Sequence, residues 1–311
     1  MVISARRYQH IAVAALAALS VIIVTGAAVR LTNSGLGCDD WPNCSSDRLV
    51  DVSSKHAAIE QINRLFTGVV AVAVIAAVLG SLARAGERRR DLVRLSWLLV
   101  VGVVANAVLG GVSVLVDLHP VAVQGHLLLS MGLIVTATVL VRRSGEPDGV
   151  GRRTVVHHRT RWLAWALFGL TWLAVVTGTV VTGAGPHAGD ENARRLDVSI
   201  PAVARVHSIS VIAAITVALA LAWRVRRSPT DRAALADVLT GWIFVGLLQA
   251  AIGYVQYLND VPALLVGIHV AGATLVMLMS TQVVLDTSRP IRPAGSDGSG
   301  PVDQGSLAGR T

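Results

Sequence analysis

The sequence predicts an all-α polytopic membrane protein with eight transmembrane helices arranged as two parallel four-helix repeats. Three observations predict it. Of the 311 residues, 53% are hydrophobic and only 15% charged, with a mean hydropathy of +0.62, a balance that suits a lipid solvent. Eight stretches of at least 18 residues carry no charged side chain. Polar residues also recur at a fixed spacing: Gly110, Asp117 and His126 return as Gly253, Asp260 and His269, each 143 positions later, and His207 stands 144 positions after Asn63.

The uncharged stretches run approximately over 11–29, 65–82, 95–116, 118–141, 162–186, 206–223, 238–258 and 261–285. A spanning helix needs about 20 such residues at a rise of about 1.5 Å each. Inside hydrocarbon the backbone must satisfy its own hydrogen bonds, so each stretch reads as a helix. The first follows Arg6 and Arg7 and leads to Arg30 and a Gly/Asn/Ser loop without a cleavage pattern, so it is expected to stay in the protein. It carries Val-Thr-Gly at 24–26, a tripeptide that returns at 176–178 in the fifth span. An outer loop, 32–58, precedes the second span and holds Cys38 and Cys44, the only cysteines.

Four spans bring the chain back to its starting side, so the two copies run parallel, related by an axis along the membrane normal. The first half is expected over 1–142 and the second over 161–286, joined by a linker over 143–160 that is rich in Gly and Arg. The tail, 287–311, is rich in Gly, Pro and Ser and is expected to be disordered. The net charge of +8 does not imply a nucleic-acid partner, because 20 of the 27 basic residues fall at the ends and loops on the side of the N-terminus. That bias orients the chain in the cell (cytoplasmic) membrane with both termini cytoplasmic.

On this topology Asn63, His126, His207 and His269 all lie in the outer part of the even-numbered spans. An ionisable side chain within a span is costly unless it pairs or faces a cavity. His207 and His269 on facing helices are therefore candidate axial ligands of a heme iron, the plainer reading being hydrogen-bonding glue between helices. In the first copy His126 faces Asn63, and an amide is a poor ligand for iron. His56, seven residues before Asn63, is a candidate second ligand, and His119 a weaker one; water-facing interfacial histidines are the alternative. Glu60 shares a helical face with Asn63 and Arg64, either as a proton acceptor beside a substrate or as a simple ion pair with Arg64. Arg64 and Arg205 open the second and sixth spans, where each can bind a propionate or snorkel to the interface. Cys38 and Cys44 face an oxidising compartment on this topology and suit either a structural staple or a redox-active pair.

Residues 31–44, reading Leu-Thr-Asn-Ser-Gly-Leu-Gly-Cys-Asp-Asp-Trp-Pro-Asn-Cys, together with Glu60-Gln61-Ile62-Asn63-Arg64, Gly125-His126-Leu127-Leu128, Val206-His207-Ser208 and Ile268-His269, resemble the heme A synthase family. The resemblance spans residues 10–285 and is most specific in the cysteine loop and the acidic helix start. It implies an eight-helix oxidoreductase that converts the C8 methyl of heme O to the formyl group of heme A through successive hydroxylations, for terminal oxidases. It further implies a heme b held by His207 and His269, a substrate side at His126 and Glu60, and a Cys38–Cys44 disulfide. The family pattern places His-Arg where this chain has Asn63-Arg64. The first-copy iron is accordingly expected to be held mainly by His126, with its opposite face open.

Two other function classes fit the sequence less well. A non-catalytic diheme b-type electron carrier would favour two equivalent bis-histidine sites at two depths, whereas here the copies differ and share one layer. A transporter would favour interrupted helices and binding residues near the midplane. The expected partners are heme O as substrate and heme O synthase as a candidate donor, with homo-oligomerisation left open.

Overall fold

The computed structural model describes residues 2–86 and 88–291. Eight helices run as α1 (Ala5–Leu31), α2 (Lys55–Ala83), α3 (Arg90–Leu115), α4 (Pro120–Ser144), α5 (His158–Ala184), α6 (Ile200–Arg226), α7 (Pro229–Leu258) and α8 (Ala263–Asp286). All eight are long and apolar enough to cross a membrane, and they extend beyond the uncharged stretches because their charged ends are helical too. The largest extension is at α2, which begins ten residues before its apolar run. Ser54 caps it there, its Oγ accepting the Ala57 N–H at 3.1 Å. That extra length puts His56, Glu60, Asn63 and Arg64 on one helix.

Each half closes on itself: α1 packs on α2 and α4, and α3 on α2 and α4, while α5 packs on α6 and α8, and α7 on α6 and α8. The halves meet where α4 packs on α8, α1 on α8 and α4 on α5. Exchanging α1 with α5, α2 with α6, α3 with α7 and α4 with α8 maps these helix contacts onto themselves. Even the turns agree. After α3 the backbone passes through φ of 53° at Asp117 and 55° at Leu118, and after α7 through 54° at Asp260 and 57° at Val261. Leu118 N–H bonds the Ser113 carbonyl at 2.7 Å, as Val261 N–H bonds that of Gln256 at 2.9 Å. Left-handed backbone at non-glycine residues costs about 1–3 kcal/mol each, and Asp tolerates it better than most. This accounts for the aspartate in the recurring sequence pattern.

Lipid offers no hydrophobic drive between helices, so close packing and buried hydrogen bonds hold them. Ala12, Ala15, Ala77, Ala137, Ala164, Ala214 and Ala218 are buried at the contacts, while Val72, Phe244 and Leu264 on the outer faces are exposed. Tyr8 bonds Ser96 at 3.0 Å, and Ser280 joins Thr171 at 2.8 Å to the Trp242 indole N–H at 2.7 Å.

The arginine-rich end departs from the sequence expectation. Arg152–Thr154 (β1) pairs antiparallel with Ser288–Pro290 (β2), so the linker and the first tail residues form a two-stranded ribbon. Arg152 binds Glu146, and Arg142 binds Asp286. Residues 287–291, expected to belong to a disordered tail, are thus ordered by strand pairing with the linker, a long-range contact that composition does not reveal. The rest of the tail lies outside the described residues.

Candidate functional site

Asn63, His126, His207 and His269 follow the first residues of their helices (Lys55, Pro120, Ile200 and Ala263) by 8, 6, 7 and 6 positions. Those helices all start at the end of the bundle that carries the cysteine loop, so the four side chains share one depth. They face two cavities. The first, about 570 Å³, is lined by Glu60, Asn63, Arg64, Asn106, Gln124 and His126 among others. The second, about 910 Å³, is lined by His187, His207, Gln249, Gln256 and His269. Arg30, Leu127, Thr179, Thr182, Val266 and Val270 border both, so the cavities lie side by side with a common wall.

Each of the four positions rests against a glycine of the neighbouring helix. A Cβ on Gly110 would stand 3.0 Å from the His126 ring, on Gly178 3.1 Å from that of His207, on Gly253 3.5 Å from that of His269, and on Gly26 4.0 Å from Asn63 Nδ2. Each imidazole thus brings its Cε1 edge against backbone where no side chain intervenes. Hydrogen bonds then set the ring's orientation. The His126 Nδ1–H donates to the Asn106 carbonyl at 3.0 Å, leaving Nε2 with its lone pair free. His207 Nδ1 lies 3.2 Å from Thr177 Oγ1, whose own proton goes to the Leu173 carbonyl at 2.8 Å. Thr25 occupies the same place in the first half and donates to Asn63 Oδ1 at 2.9 Å. The Val-Thr-Gly repeat is therefore the seat of the residue opposite, a role the sequence signalled by recurrence without disclosing it.

The His207 and His269 ring centres are 6.4 Å apart, with planes at 81°. A metal–imidazole bond of about 2.0–2.1 Å, plus about 1.1 Å from nitrogen to ring centre on each side, puts two axial ligands about 6.3 Å apart. The separation of the pair matches that of two imidazoles sharing one metal, and His269 Nδ1 is buried without a partner. Among the described residues no three His, Cys, Asp or Glu side chains cluster as a metal site. Two imidazoles suit a metal that brings its remaining ligands with it, as a porphyrin does.

The first cavity is roofed by the loop between α1 and α2. Cys38 and Cys44 form a disulfide, both 1–2% exposed. Glu60, also buried, accepts the Cys38 N–H at 2.8 Å through Oε2 and Arg64 at 2.6 and 3.0 Å through Oε1. Arg64 also donates to the Asp40 carbonyl twice at 3.1 Å and to that of Asn43 at 2.9 Å. All five of its N–H donors are engaged, so Arg64 borders the cavity with none left for a propionate. Trp41 of the roof lies against the α3 backbone, where a Cβ on Gly111 would come within 2.3 Å of the indole.

Two sequence candidates are not brought to the cavity. His56 is exposed and its Nδ1 meets Ser34 Oγ at 2.9 Å, and His119 is the N-cap residue of α4. Neither lines the first cavity, although His56 shares a helix with Asn63, because its ring turns to the loop. Arg205 lines the second cavity from an exposed position. Arg30, His187, Asn106 and Gln249 line the cavities without having been singled out. Asn106 and Gln249 stand 143 positions apart, a match the periodicity could have revealed.

Eight apolar helices with two neighbouring imidazole-lined cavities at one depth define a polytopic membrane protein with paired histidine sites. A family model described as cytochrome oxidase assembly protein, COX15-CtaA, matches residues 9–281, and the chain belongs to that family. It is 29% identical over 189 residues to a heme A synthase of Lysinibacillus sphaericus (strain C3-41), covering 57% of this chain and 58% of the relative. That match spans less than two thirds of the relative's length. A heme A synthase of Bradyrhizobium diazoefficiens (strain JCM 10833) is 26% identical with 91% of each chain covered, and one of Caulobacter sp. (strain K31) is 28% identical with 86% of this chain and 92% of the relative covered.

Proposed function

We propose that this chain is a heme A synthase of the cell membrane, with both termini cytoplasmic, that oxidises the C8 methyl of heme O to a formyl group. Two successive hydroxylations, each a two-electron oxidation of the methyl carbon by an oxidant supplied from outside the chain, give a geminal diol that loses water to leave the aldehyde. The observation that carries the reading is the difference between the cavities. The second offers a matched pair, His207 and His269, at the spacing of two axial ligands. The first offers His126 opposite Asn63, with a carboxylate at its edge.

In this reading His207 and His269 would hold a heme b, which would supply one-electron redox chemistry next to the substrate cavity. His126 holds and orients the substrate macrocycle through Nε2, its ring fixed by the Asn106 carbonyl and Gly110. Asn63 leaves the opposite face uncrowded. Arg64 and the disulfide loop keep the roof closed and exclude water. Glu60 takes up protons released at the methyl group, and its place beneath the roof shelters them from the outer solution. A farnesyl-bearing substrate can enter sideways from the bilayer, delivered by a heme O synthase. The electron-carrier reading gains nothing from a first cavity with one imidazole.

Extraction and chromatography of hemes from cells co-expressing the chain with a heme O synthase tests the reaction. Heme A and its hydroxylated precursor are expected; heme O alone, from well-folded protein, overturns it. Glu60→Gln separates catalysis from architecture, since it keeps the side chain's size and one acceptor. The expected result is a fall in turnover of about 10²-fold or more, the range of a general base, with bound heme b retained and the protein still folded. A fall in turnover matched by loss of folded protein instead assigns Glu60 to the loop alone.

A further inference from the structure

Arg30 ends α1 at the wall between the cavities and lines both. Its Nη2 donates to the Thr182 carbonyl at 2.9 Å, and its Nε is buried without a partner. Among the described residues no carboxylate pairs with it, its one side-chain hydrogen bond being to the Thr182 carbonyl. A half-buried cation among membrane helices without a counter-ion is expensive to keep. Arg30 cannot readily swing away either. The loop after α5 packs on its stem, where a Cβ on Gly189 would stand 3.5 Å from Arg30 Cγ, and the Gly189 carbonyl in turn accepts the Gly35 N–H at 2.9 Å. The other cavity-lining arginines are differently placed: Arg64 has every donor engaged, and Arg194 and Arg205 are exposed.

We propose that Arg30 is a shared carboxylate-binding residue, supplying the counter-charge for a propionate of the porphyrin in each cavity. The inference rests on the heme reading of the two cavities. A guanidinium presents several donors in a fixed plane and holds carboxylates in two-pronged hydrogen bonds. With Nη2 on the wall of α5 and Nε buried, Nη1, which has no partner among the described residues, is the part left for an anion. The plainer role, a cation capping the carbonyl end of α5, accounts for the Thr182 bond and leaves the buried Nε unexplained.

The test titrates full-length protein in detergent with ferric protoporphyrin IX and with its dimethyl ester, which lacks the carboxylates. A His126→Ala background reports the second cavity, and a His207→Ala/His269→Ala background reports the first. Arg30→Gln is expected to weaken binding of the free acid about tenfold or more in both backgrounds and to leave the ester unaffected, with Arg30→Lys in between. The midpoint potential of the second-cavity heme should fall in Arg30→Gln, because a nearby cation stabilises the reduced iron. Equal losses for acid and ester reduce Arg30 to a helix tie and overturn the proposal, and a loss confined to one background overturns the sharing. If Arg30→Gln does not fold, acid against ester in the Arg30-bearing backgrounds decides, equal affinity counting against the proposal. Heme binding indifferent to removal of His126, His207 and His269 instead overturns the heme reading itself, whatever Arg30 does.

Discussion

Asn63→His is expected to turn the first cavity into a second bis-imidazole site. The seat for the ring is already present. Thr25 reaches position 63 at 2.9 Å, as Thr177 reaches His207 at 3.2 Å, and Gly26 leaves the space that Gly178 leaves under His207. Asn63 stops short of filling it, its Nδ2 4.0 Å from where a Gly26 Cβ would be, against 3.1 Å for the His207 ring at Gly178. With heme bound in the first cavity, the wild-type spectrum should show an iron with one protein imidazole. The variant should become low-spin and retain that heme about tenfold more tightly, equivalent to about 1.4 kcal/mol. Electron paramagnetic resonance on a His207→Ala/His269→Ala background isolates the signal. An unchanged spectrum in Asn63→His, or a wild-type bis-histidine spectrum that survives loss of His56 and His119, would refute the expectation.

His207→Ala or His269→Ala should empty the second cavity and stop turnover. Each removes one of two ligands from a cavity of about 910 Å³ whose remaining imidazole, His187, is tied to the Val261 carbonyl at 2.7 Å, so nothing nearby replaces the lost bond. The helices themselves should persist, because the core around Leu167, Leu221, Leu235 and Trp242 is not built on either imidazole. Heme per protein, measured as the pyridine complex, should fall by about one equivalent, with a lower melting temperature. A ligand present at about 100 times its dissociation constant stabilises the folded state by about 2.7 kcal/mol, which the variant forfeits. Full heme retention in both variants would remove the second-cavity assignment.

The helices were legible because hydrocarbon enforces them: an uncharged run of the right length has no other stable form in lipid. Their ends were less so, since capping by Ser54 and helical charged residues lie outside the apolar pattern. The ligand layer could be read from the recurrence of His126 and His269. The reasons for the accompanying residues could not. Gly110 and Gly253 are small because an imidazole lies on them, and Asp117 and Asp260 occupy left-handed turns. Arg30 escaped notice because it ends an apolar run, where an arginine ordinarily marks only the interface. Its place at the wall between the cavities depends on a loop far away in sequence. The β1–β2 ribbon was missed for the same reason, as it joins residues more than a hundred positions apart.

The exchange that maps one half's helix contacts onto the other's has a practical consequence. Any substitution in one cavity has a geometric twin in the other, within the same molecule and the same detergent. Asn106 and Gln249, each with a buried side-chain oxygen lacking a partner, are such twins. Changing them one at a time compares the same perturbation beside His126 and beside His269, with the untouched half as its reference. The protein carries its own control experiment.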